Sequence, residues 1–549
     1  MNRSIKLILT LSAVVSFFNA ARTVAAPTFA DAVANGSLNI SGLTESSGIV
    51  ASRNNPGVLW TENDSGNPAV VYALDSQGRS LGTYTLPGNT DNEDIGIGPG
   101  PVANVSYLYV ADIGDNNENR SSIAIYQTPE PAVYFSQTNS PVSNRALKGT
   151  RTITLTYPDS PHNAEAEFLD PVTGDWFVLT KPFPSGIYTA PKALLDTTNK
   201  ITLAFVGTLN FDVPSGADIS PSGGEIIVRQ EDYAYLWART NGQTVSNALA
   251  GAVVSIPVTG TASGEPNGEA IGFDFYGGGY FTLSDMSGST TPQPLRYFAR
   301  TSPDGPTPPR VIVPMAANWK FLANGSNQGA AWQSPAFNDS AWSNGVAQFG
   351  FGNSSAKTVV SYGPNAANKY ITTYFRQTFV ATNVNRVANM TLKLVVDDGA
   401  LVYLNGSPAT NLNLNFGAAY NTTATPMTAA LRDTWQSFSV NPRLLAEGTN
   451  VIAAEVHLAS ATATNLAFDL QLFATEAPFI TSLASLTNHQ AKISLAGSSN
   501  SPTTVQATTN FTAWTTLGSL LLTNSSGVFT DSAATNFNSR FYRAYRSVP

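Results

Sequence analysis

Carboxylates that could do chemistry recur at the starts of short apolar runs in the first half of the sequence. Each copy of the pattern has an acidic residue, one or two small residues and an apolar run ending at a turn. Copies begin at Glu45, Glu93, Glu165, Ala217 and Glu269, which are 48, 72, 52 and 52 residues apart. If each begins an innermost strand around one axis, four glutamates converge on one channel. Like charges brought this close must bind a cation, hold protons or be neutralised by hydrogen bonds.

Hard oxygen ligands in this number suit calcium, which takes six to eight of them. The acidic stretch 112–118 has the composition of a calcium loop without the EF-hand spacing. The predicted metal ligands are Glu45, Glu93, Asp94, Asp112, Asp115, Glu165 and Glu269. Three interpretations stay open: the carboxylates tie neighbouring strands through backbone N–H groups, bind a cation, or act in acid–base catalysis.

Four residues are predicted to be catalytic: His162, Glu165, Lys181 and Arg229. His162 lies three residues before Glu165 and could serve as a general base, or could be structural. Lys181 and Arg229 end the second runs of two repeats, where they could bind a phosphate or carboxylate or neutralise an acidic rim. No Gly-x-Ser-x-Gly motif occurs among residues 28–301, so the sequence does not indicate a serine nucleophile elbow.

Short β-type runs separated by turn residues must position these side chains. Each repeat has three such runs and a more variable fourth, which is typical of a β-propeller blade. The last repeat lacks an outer run, so we expect Ser37–Ile40 to close the ring as its missing strand. The sequence predicts an all-β fold whose first domain, residues 28–301, is a β-propeller. Five blades are favoured, and six are possible because the 72-residue interval could contain another.

Two smaller β domains are predicted after a Pro-rich linker at residues 302–309. Residues 310–475 read as an antiparallel jelly-roll sandwich, and residues 478–549 as a small β-sandwich. In the jelly roll, Trp342 could stack on a sugar ring or lie in the core. Asp397 and Asp398, in a turn between two strands, complete the predicted ligand-binding set.

The composition limits the partners of this protein. Only 12% of the 549 residues are charged, the net charge is −8, and cysteine is absent. These values exclude disulfides and thiolate metal sites, and they disfavour nucleic acid. Residues 1–25 have the charged start, apolar run and small-residue end of a secretory signal peptide. We expect an exported, periplasmic or cell-surface monomer without a membrane span, whose ligand is a small molecule or glycan.

Three regions resemble known families. Asp91–Ile95, Tyr107–Val110 and Asp112–Asn116 resemble secreted bacterial β-propellers with esterase-like, phytase-like and lactonase-like members, although Asn92 stands where an aromatic residue is usual. The second region is similar to galactose-binding-like jelly rolls, through Thr373–Arg376 and Gly448–His457 among other segments. The third looks like a C-terminal module of bacterial exoproteins. The first resemblance implies rim carboxylates that hold calcium.

Two functions remain open at this point. One is a calcium-assisted hydrolase that cleaves esters or phosphoesters in the propeller channel, with accessory domains that bind carbohydrate or a surface. The other is a non-catalytic extracellular protein that binds glycans or a surface.

Overall fold

Strands dominate the architecture, which confirms the predicted all-β class. The computed structural model describes residues 26–240, 242–286, 292–302, 308–353, 355–486, 490–497, 502–510, 512–522, 526–537 and 539–546. The predicted signal peptide, residues 1–25, lies outside the described residues, as does most of the predicted linker.

The first group of strands follows the repeats. Its members are β1 (Val33–Leu38), β2 (Ser46–Ala51), β3 (Val58–Asn63), β4 (Val70–Asp75), β5 (Ser80–Thr85), β6 (Asn92–Pro99), β7 (Ser106–Asp112), β8 (Ile123–Pro129), β9 (Val142–Ala146), β10 (Arg151–Thr156), β11 (Ala164–Leu169), β12 (Trp176–Thr180), β13 (Ser185–Ala190), β14 (Lys200–Thr202), β15 (Ala204–Leu209), β16 (Gly216–Ile219), β17 (Glu225–Gln230), β18 (Tyr233–Ala238), β19 (Val253–Ile256), β20 (Asn267–Phe273), β21 (Gly279–Asp285) and β22 (Gln293–Ala299).

Within the described residues these strands form five sheets. Sheet 1 has the order β2-β3-β4-β5-β9, sheet 2 β6-β7-β8-β10-β14, sheet 3 β11-β12-β13-β15, sheet 4 β16-β17-β18-β19 and sheet 5 β20-β21-β22-β1. The innermost strands β2, β6, β11, β16 and β20 contact one another in a closed cycle. We call this arrangement the five-sheet ring.

The chain closes the ring with its first strand, as the sequence predicts. β1 pairs antiparallel with β22, joining Leu38 to Gln293 and Val33 to Tyr297. The 72-residue interval between two repeats contains β9, an added edge strand of sheet 1, and β10 of sheet 2. The extra residues therefore add strands to existing sheets, and among the described residues they add no sixth sheet to the ring.

Packing between sheets holds the ring together. A separate buried apolar cluster lies between each pair of neighbouring sheets, including the pair formed by sheets 5 and 1. Trp60 and Trp176, both fully buried, anchor two of these clusters. Since each sheet buries both faces against its neighbours, the strands read as continuous apolar runs rather than strict alternations.

The second group of strands forms a sandwich of two sheets around one large apolar core. Its members are β23 (Arg310–Val313), β24 (Asn318–Leu322), β25 (Ser343–Val346), β26 (Phe349–Phe351), β27 (Thr358–Val359), β28 (Thr372–Ala381), β29 (Val387–Asp397), β30 (Gly399–Leu404), β31 (Ser407–Leu412), β32 (Gln436–Val440), β33 (Gly448–His457) and β34 (Leu466–Glu476). One sheet has the order β27-β26-β34-β29-β32, with β23 also on β34, and the other β25-β24-β28-β33-β30-β31.

The last strands form two further small sheets. Their members are β35 (Phe479–Ser485), β36 (Ala491–Ala496), β37 (Pro502–Thr508), β38 (Thr515–Leu521), β39 (Ser526–Asp531) and β40 (Phe541–Arg546). The sheet orders are β35-β36-β39 and β38-β37-β40.

Helices are short in the described chain. They are α1 (Lys192–Leu195), α2 (Val245–Leu249) and the 3-10 turns Phe135–Asn139, Thr261–Ser263, Ala331–Gln333, Val384–Arg386, Pro442–Leu444 and Ser532–Asn536. Over the residues described, no helix has the length and apolar character needed to cross a membrane.

The ring and the sandwich share a buried contact that the sequence does not predict. The Trp435 indole donates to Asn55 Oδ1 at 3.0 Å, and Lys393 Nζ donates to the Arg53 carbonyl at 2.6 Å. Isolated bridges join Val105 to Gln436 and Pro131 to Thr434. Burial lowers the pKa of Lys393 to about 8. The two groups of strands therefore meet through hydrogen-bonded side chains as well as apolar packing.

Candidate functional site

Register shifts in three of the innermost strands leave a glutamate out of the strand pairing. In β6, residues Asn92 and Asp94 pair with Asp112 and Ala111, so Glu93 is left out of the ladder. Glu165 is left out of β11 in the same way, and the register shift in β20 leaves out Glu269 and Ala270. Such bulges re-aim a side chain and are frequent beside functional sites.

Sheets 1 and 4 have no glutamate at the position that corresponds to Glu93. The bulge of β2 leaves out Ser47 and Gly48, and β16 pairs with β17 without a shift in its described register. Glu45, predicted to be the equivalent of Glu93, instead forms an isolated bridge with Asp285. Its carboxylate accepts a hydrogen bond from the Asn67 amide. Ser47 occupies the place predicted for Glu45, because the bulge begins two residues later.

Two loop aspartates complete the group. Carboxylate oxygens of Asp64, Asp91 and Glu93 all lie within 4.8 Å of one another. The Ser47 hydroxyl donates to Glu93 Oε2 at 3.4 Å, and Lys181 pairs with Glu165. We call Asp64, Asp91, Glu93, Glu165 and Glu269 the carboxylate cluster.

Electrostatics couple the members of the cluster. Burial, followed by repulsion from Glu165, Asp64, Asp91 and Glu269, raises the pKa of Glu93 well above its usual range. Burial and the neighbouring Glu165 raise the pKa of Glu269 to about 9. Burial also raises the pKa values of Asp64, Asp91 and Glu165, although Lys181 opposes the shift at Glu165. The carboxylates therefore resist being ionised together.

Other predicted metal ligands belong to the framework of the ring. Asp94 accepts N–H groups of Ile95, Glu167 and Ala217 at 2.8, 2.9 and 3.1 Å. It thereby connects sheet 2 to sheets 3 and 4. Asp218 accepts the N–H groups of Ile219 and Phe273, both at 2.8 Å. These contacts fit the interpretation of the carboxylates as ties between strands.

The acidic loop after β7 also satisfies itself. Asp112 accepts the N–H groups of Thr90 and Asp91 and pairs with Arg120 Nη2 at 2.6 Å. Asp115 accepts the Arg120 N–H at 2.7 Å. Asp112 and Asp115 therefore fold the loop and are not members of the carboxylate cluster.

Two predicted catalytic residues have other partners. Arg229 is fully buried, pairs with Glu265 at 2.6 Å and donates to the carbonyls of Thr259, Ala270, Glu231 and Leu283. All its nitrogens are occupied, so it has no free donor for a substrate anion. His162 Nε2 lies 3.0 Å from both Asp159 Oδ2 and the Tyr188 hydroxyl, and its ring meets Tyr157 edge-on. Among the described residues, the hydrogen bonds and ion pairs of the His162 and Arg229 side chains thus go to groups other than Lys181 and Glu165.

The predicted ligand-binding residues of the sandwich are buried. Trp342 packs against Trp332 in an aromatic cluster, and its side chain is only 6% exposed. Asp398 accepts the N–H groups of Met427 and Ala459 at 3.0 and 2.7 Å, fixing two loops. Asp397 accepts from the Asn465 amide, and burial and Asp398 raise its pKa to about 8. None of these three side chains is presented to solvent.

Asp64, Asp91 and Ser47 are absent from the predicted ligands. Asp91 stands two residues before Glu93, and Asp64 follows the end of β3. Their shared signal is an acidic residue beside a turn at the end of a strand, which sequence alone does not separate from Asp112. Ser47 carries no such signal.

Comparison with known proteins yields no family. No family model matches the sequence, and no curated protein matches it. Among solved structures, a β-glycosidase from Bacteroides vulgatus has a TM-score of 0.22 and 14% identity over 43% of this chain and 29% of that chain. A calcium-binding mutant of Bacteroides uniformis β-glucuronidase 2 has a TM-score of 0.20 and 16% identity, covering 44% and 28%.

A β-glucuronidase from an uncultured Clostridium species gives a TM-score of 0.21 and 9% identity, covering 41% of this chain and 39% of that one. The chain thus spans less than two fifths of the length of these three proteins. At such scores the likeness assigns neither an activity nor a ligand to this chain.

Proposed function

We propose that the carboxylate cluster binds a calcium ion, and that the five-sheet ring is an exported, monomeric hydrolase of esters or phosphoesters related to secreted bacterial propellers. One observation carries the proposal: the five carboxylates of the cluster lie close enough to repel one another, and Lys181 pairs with Glu165 among them. The predicted domain boundaries, with an accessory sandwich after the ring, belong to the same proposal.

Charge balance favours a divalent ion. Lys181 is hydrogen-bonded to Glu165 and neutralises one carboxylate, which leaves Asp64, Asp91, Glu93 and Glu269. Without a cation, burial and mutual repulsion raise the pKa of each of these groups, and that of Glu269 to about 9. A bound dication would offset two of these charges and restore the ordinary ionised state of its ligands.

The donor set fits calcium. All available donors are carboxylate and hydroxyl oxygens, which suit a hard cation. Oε2 of Glu269 is buried and has no hydrogen-bond partner among the described residues, so it is available as a ligand. Asp64, Asp91 and Glu93 already hold oxygens within 4.8 Å of one another. These four residues would hold the ion.

Hydrolysis at this place would use the ion and the lysine for different tasks. A bound calcium ion supplies a Lewis acid that polarises the carbonyl or phosphoryl oxygen of an ester. Lys181 has three N–H donors and gives one to Glu165, so the others can orient the same substrate group. Glu165 holds the ammonium in position. The predicted catalytic roles of Lys181 and Glu165 are therefore retained in the proposal as positioning roles.

Titration calorimetry with calcium on the full chain tests the metal site. We expect binding in wild type and in Asp31→Asn, a control that removes an exposed carboxylate outside the cluster. The double variant Asp91→Asn/Glu93→Gln should lose at least tenfold in calcium affinity.

Hydrolysis is then measured with 4-nitrophenyl acetate and 4-nitrophenyl phosphate, each with calcium and with EDTA. We expect one substrate to be cleaved in a calcium-dependent manner. Absence of calcium binding would exclude the metal site. Calcium binding without hydrolysis, combined with binding to a glycan array, would favour the non-catalytic alternative.

A further inference from the structure

An open cleft of about 450 Å³ adjoins the carboxylate cluster. Lys181 belongs to both, since it lines the cleft and pairs with Glu165. The side chains that give the cleft its character are three amides, two carboxylates and one aromatic ring, from Asn116, Asn117, Asn163, Glu118, Asp212 and Phe183. Its volume lies in the range of small-molecule sites.

Phe183 places an apolar ring in water within this polar cleft. Its side chain is 64% exposed. A flat apolar surface surrounded by hydrogen-bonding groups matches a ligand with one apolar face and a polar edge. A pyranose ring has both features.

The amides are partly preorganised. Asn163 Nδ2 donates to Asn116 Oδ1 at 3.0 Å, and Asn163 Oδ1 accepts the Asp115 N–H at 2.8 Å. This arrangement leaves the NH2 group of Asn116 available as a donor. The side chains of Asn117 and Glu118 make no hydrogen bonds within the described part of the chain. The cleft thus offers both donors and acceptors, as sugar hydroxyls require because each both donates and accepts.

Charge distinguishes between classes of sugar ligand. Glu118 and Asp212 make the walls acidic, whereas the lining cation, Lys181, is neutralised by Glu165. A phosphorylated or otherwise anionic sugar would be repelled by these two carboxylates. The cleft therefore suits an uncharged ring.

We propose that this cleft binds the uncharged sugar portion of a carboxylic ester, whose acyl group is presented to the carboxylate cluster. This inference rests on the proposed hydrolase function and specifies its substrate class. The reaction adds one water. The bond between the acyl carbon and the sugar oxygen breaks, the water oxygen enters the released carboxylic acid, and a water proton completes the sugar hydroxyl.

The experiment compares an acetylated methyl glucoside with 4-nitrophenyl acetate on the calcium-loaded full chain. For Phe183→Ala we expect KM for the sugar ester to rise about tenfold at unchanged kcat, while kinetics on 4-nitrophenyl acetate and calcium affinity stay at wild-type values. Asn117→Ala should change KM in the same direction by a smaller factor. Phe135→Ala, which removes another exposed phenylalanine (44% exposed), is the matched control and should change nothing.

Each outcome decides between the two proposals. Unchanged KM for the sugar ester in Phe183→Ala, with calcium-dependent hydrolysis intact, overturns the sugar subsite and leaves the hydrolase. Preference for a sugar phosphate over the sugar acetate overturns the assignment of an uncharged ring.

If no ester is cleaved, the hydrolase fails, and binding of methyl glucoside to wild type and Phe183→Ala is measured by saturation-transfer NMR. Binding that depends on Phe183 supports the sugar site on its own. Equal or absent binding overturns it.

Discussion

Two consecutive residues of β6 have opposite surroundings. Asp94 accepts three backbone N–H groups and is buried in the framework that joins three sheets. Glu93 receives the Ser47 hydroxyl at 3.4 Å and otherwise faces other carboxylates. Burial raises the pKa of both carboxyl groups, but the backbone N–H donors oppose that rise at Asp94, whereas neighbouring carboxylates add to it at Glu93. The carboxylate that accepts N–H groups supports the fold, and the one that faces other carboxylates needs a cation from outside the chain.

A bulge produces this difference. Because Glu93 is left out of the pairing between Asn92 and Asp94, the alternation of side chains is interrupted at that residue. The same interruption at Glu165 and Glu269 sends those glutamates to the cluster. Sheet 4 has no bulge in its described register, and its acidic residue Asp218 is a tie like Asp94. The bulge, rather than the acidic residue, distinguishes the glutamates of the carboxylate cluster from the ties.

The largest expected effect comes from pH in the absence of calcium. The pKa of Glu269 is about 9 in the folded chain and near 4.5 when unfolded, so folding favours its protonated form. Its stabilising contribution is present in full below pH 4.5 and is lost as the pH rises toward 9, at about 1.4 kcal/mol per pH unit. Denaturant unfolding in EDTA should therefore show a loss on the order of several kcal/mol between pH 5 and pH 9.

Calcium should reverse most of that loss, because the ion binds the ionised carboxylates. Glu269→Gln in EDTA should have a flatter profile than wild type, whereas Asp31→Asn should follow wild type. A wild-type profile that is the same in calcium and EDTA would contradict the distinction between the two kinds of carboxylate.

Arg229 and Lys181 allow the same comparison between a framework residue and a residue at the cluster, with an intermediate effect on stability. Arg229→Met leaves Glu265 buried without its main partner and four carbonyls without a donor, and should cost about 3–5 kcal/mol of unfolding free energy. Lys181→Met breaks a partly exposed pair and should cost about 1 kcal/mol or less. Urea unfolding measures both, and hydrolysis at a temperature where both variants are folded should be impaired only in Lys181→Met.

An Arg229→Met chain as stable as wild type would remove the reason for placing Arg229 in the framework. A loss of hydrolysis in folded Arg229→Met would restore its predicted role at the substrate.

Much of the ring is readable from the sequence because local pattern dictates it. The spacing of the acidic motifs locates the inner strands, and the missing outer strand at β22 predicts closure by the N-terminal segment. The prediction of Glu93, Glu165 and Glu269 as neighbours follows from the same repeat. Register is harder: Glu45 fails because the bulge of β2 falls at Ser47, a shift of two residues that composition does not reveal.

Partners across the ring also escape the sequence. From the sequence, Arg229 is predicted to be a cation at the rim, but in the fold Glu265 and four carbonyl groups surround it. Apart from Glu231, these groups lie 30 to 54 residues away in the sequence. Trp342 looks like a sugar platform until the core of the sandwich covers it. Phe183, by contrast, sits in a Pro-rich turn two residues after Lys181, and only the folded chain brings Asn116 and Asn163 to the same cleft.

The last comparison is the sharpest test, because it uses adjacent residues. Asp94→Ala leaves buried N–H groups of Glu167 and Ala217 without an acceptor and should cost about 2–3 kcal/mol, equally in calcium and EDTA. Glu93→Gln should instead be neutral or stabilising in EDTA, since a neutral amide replaces a carboxyl group whose ionisation its neighbours oppose, and destabilising relative to wild type in calcium. Thermal unfolding of both variants under both conditions gives the four values. If the two variants respond to calcium alike, the bulge does not separate a tie from a ligand, and the carboxylate cluster is part of the framework like Asp94.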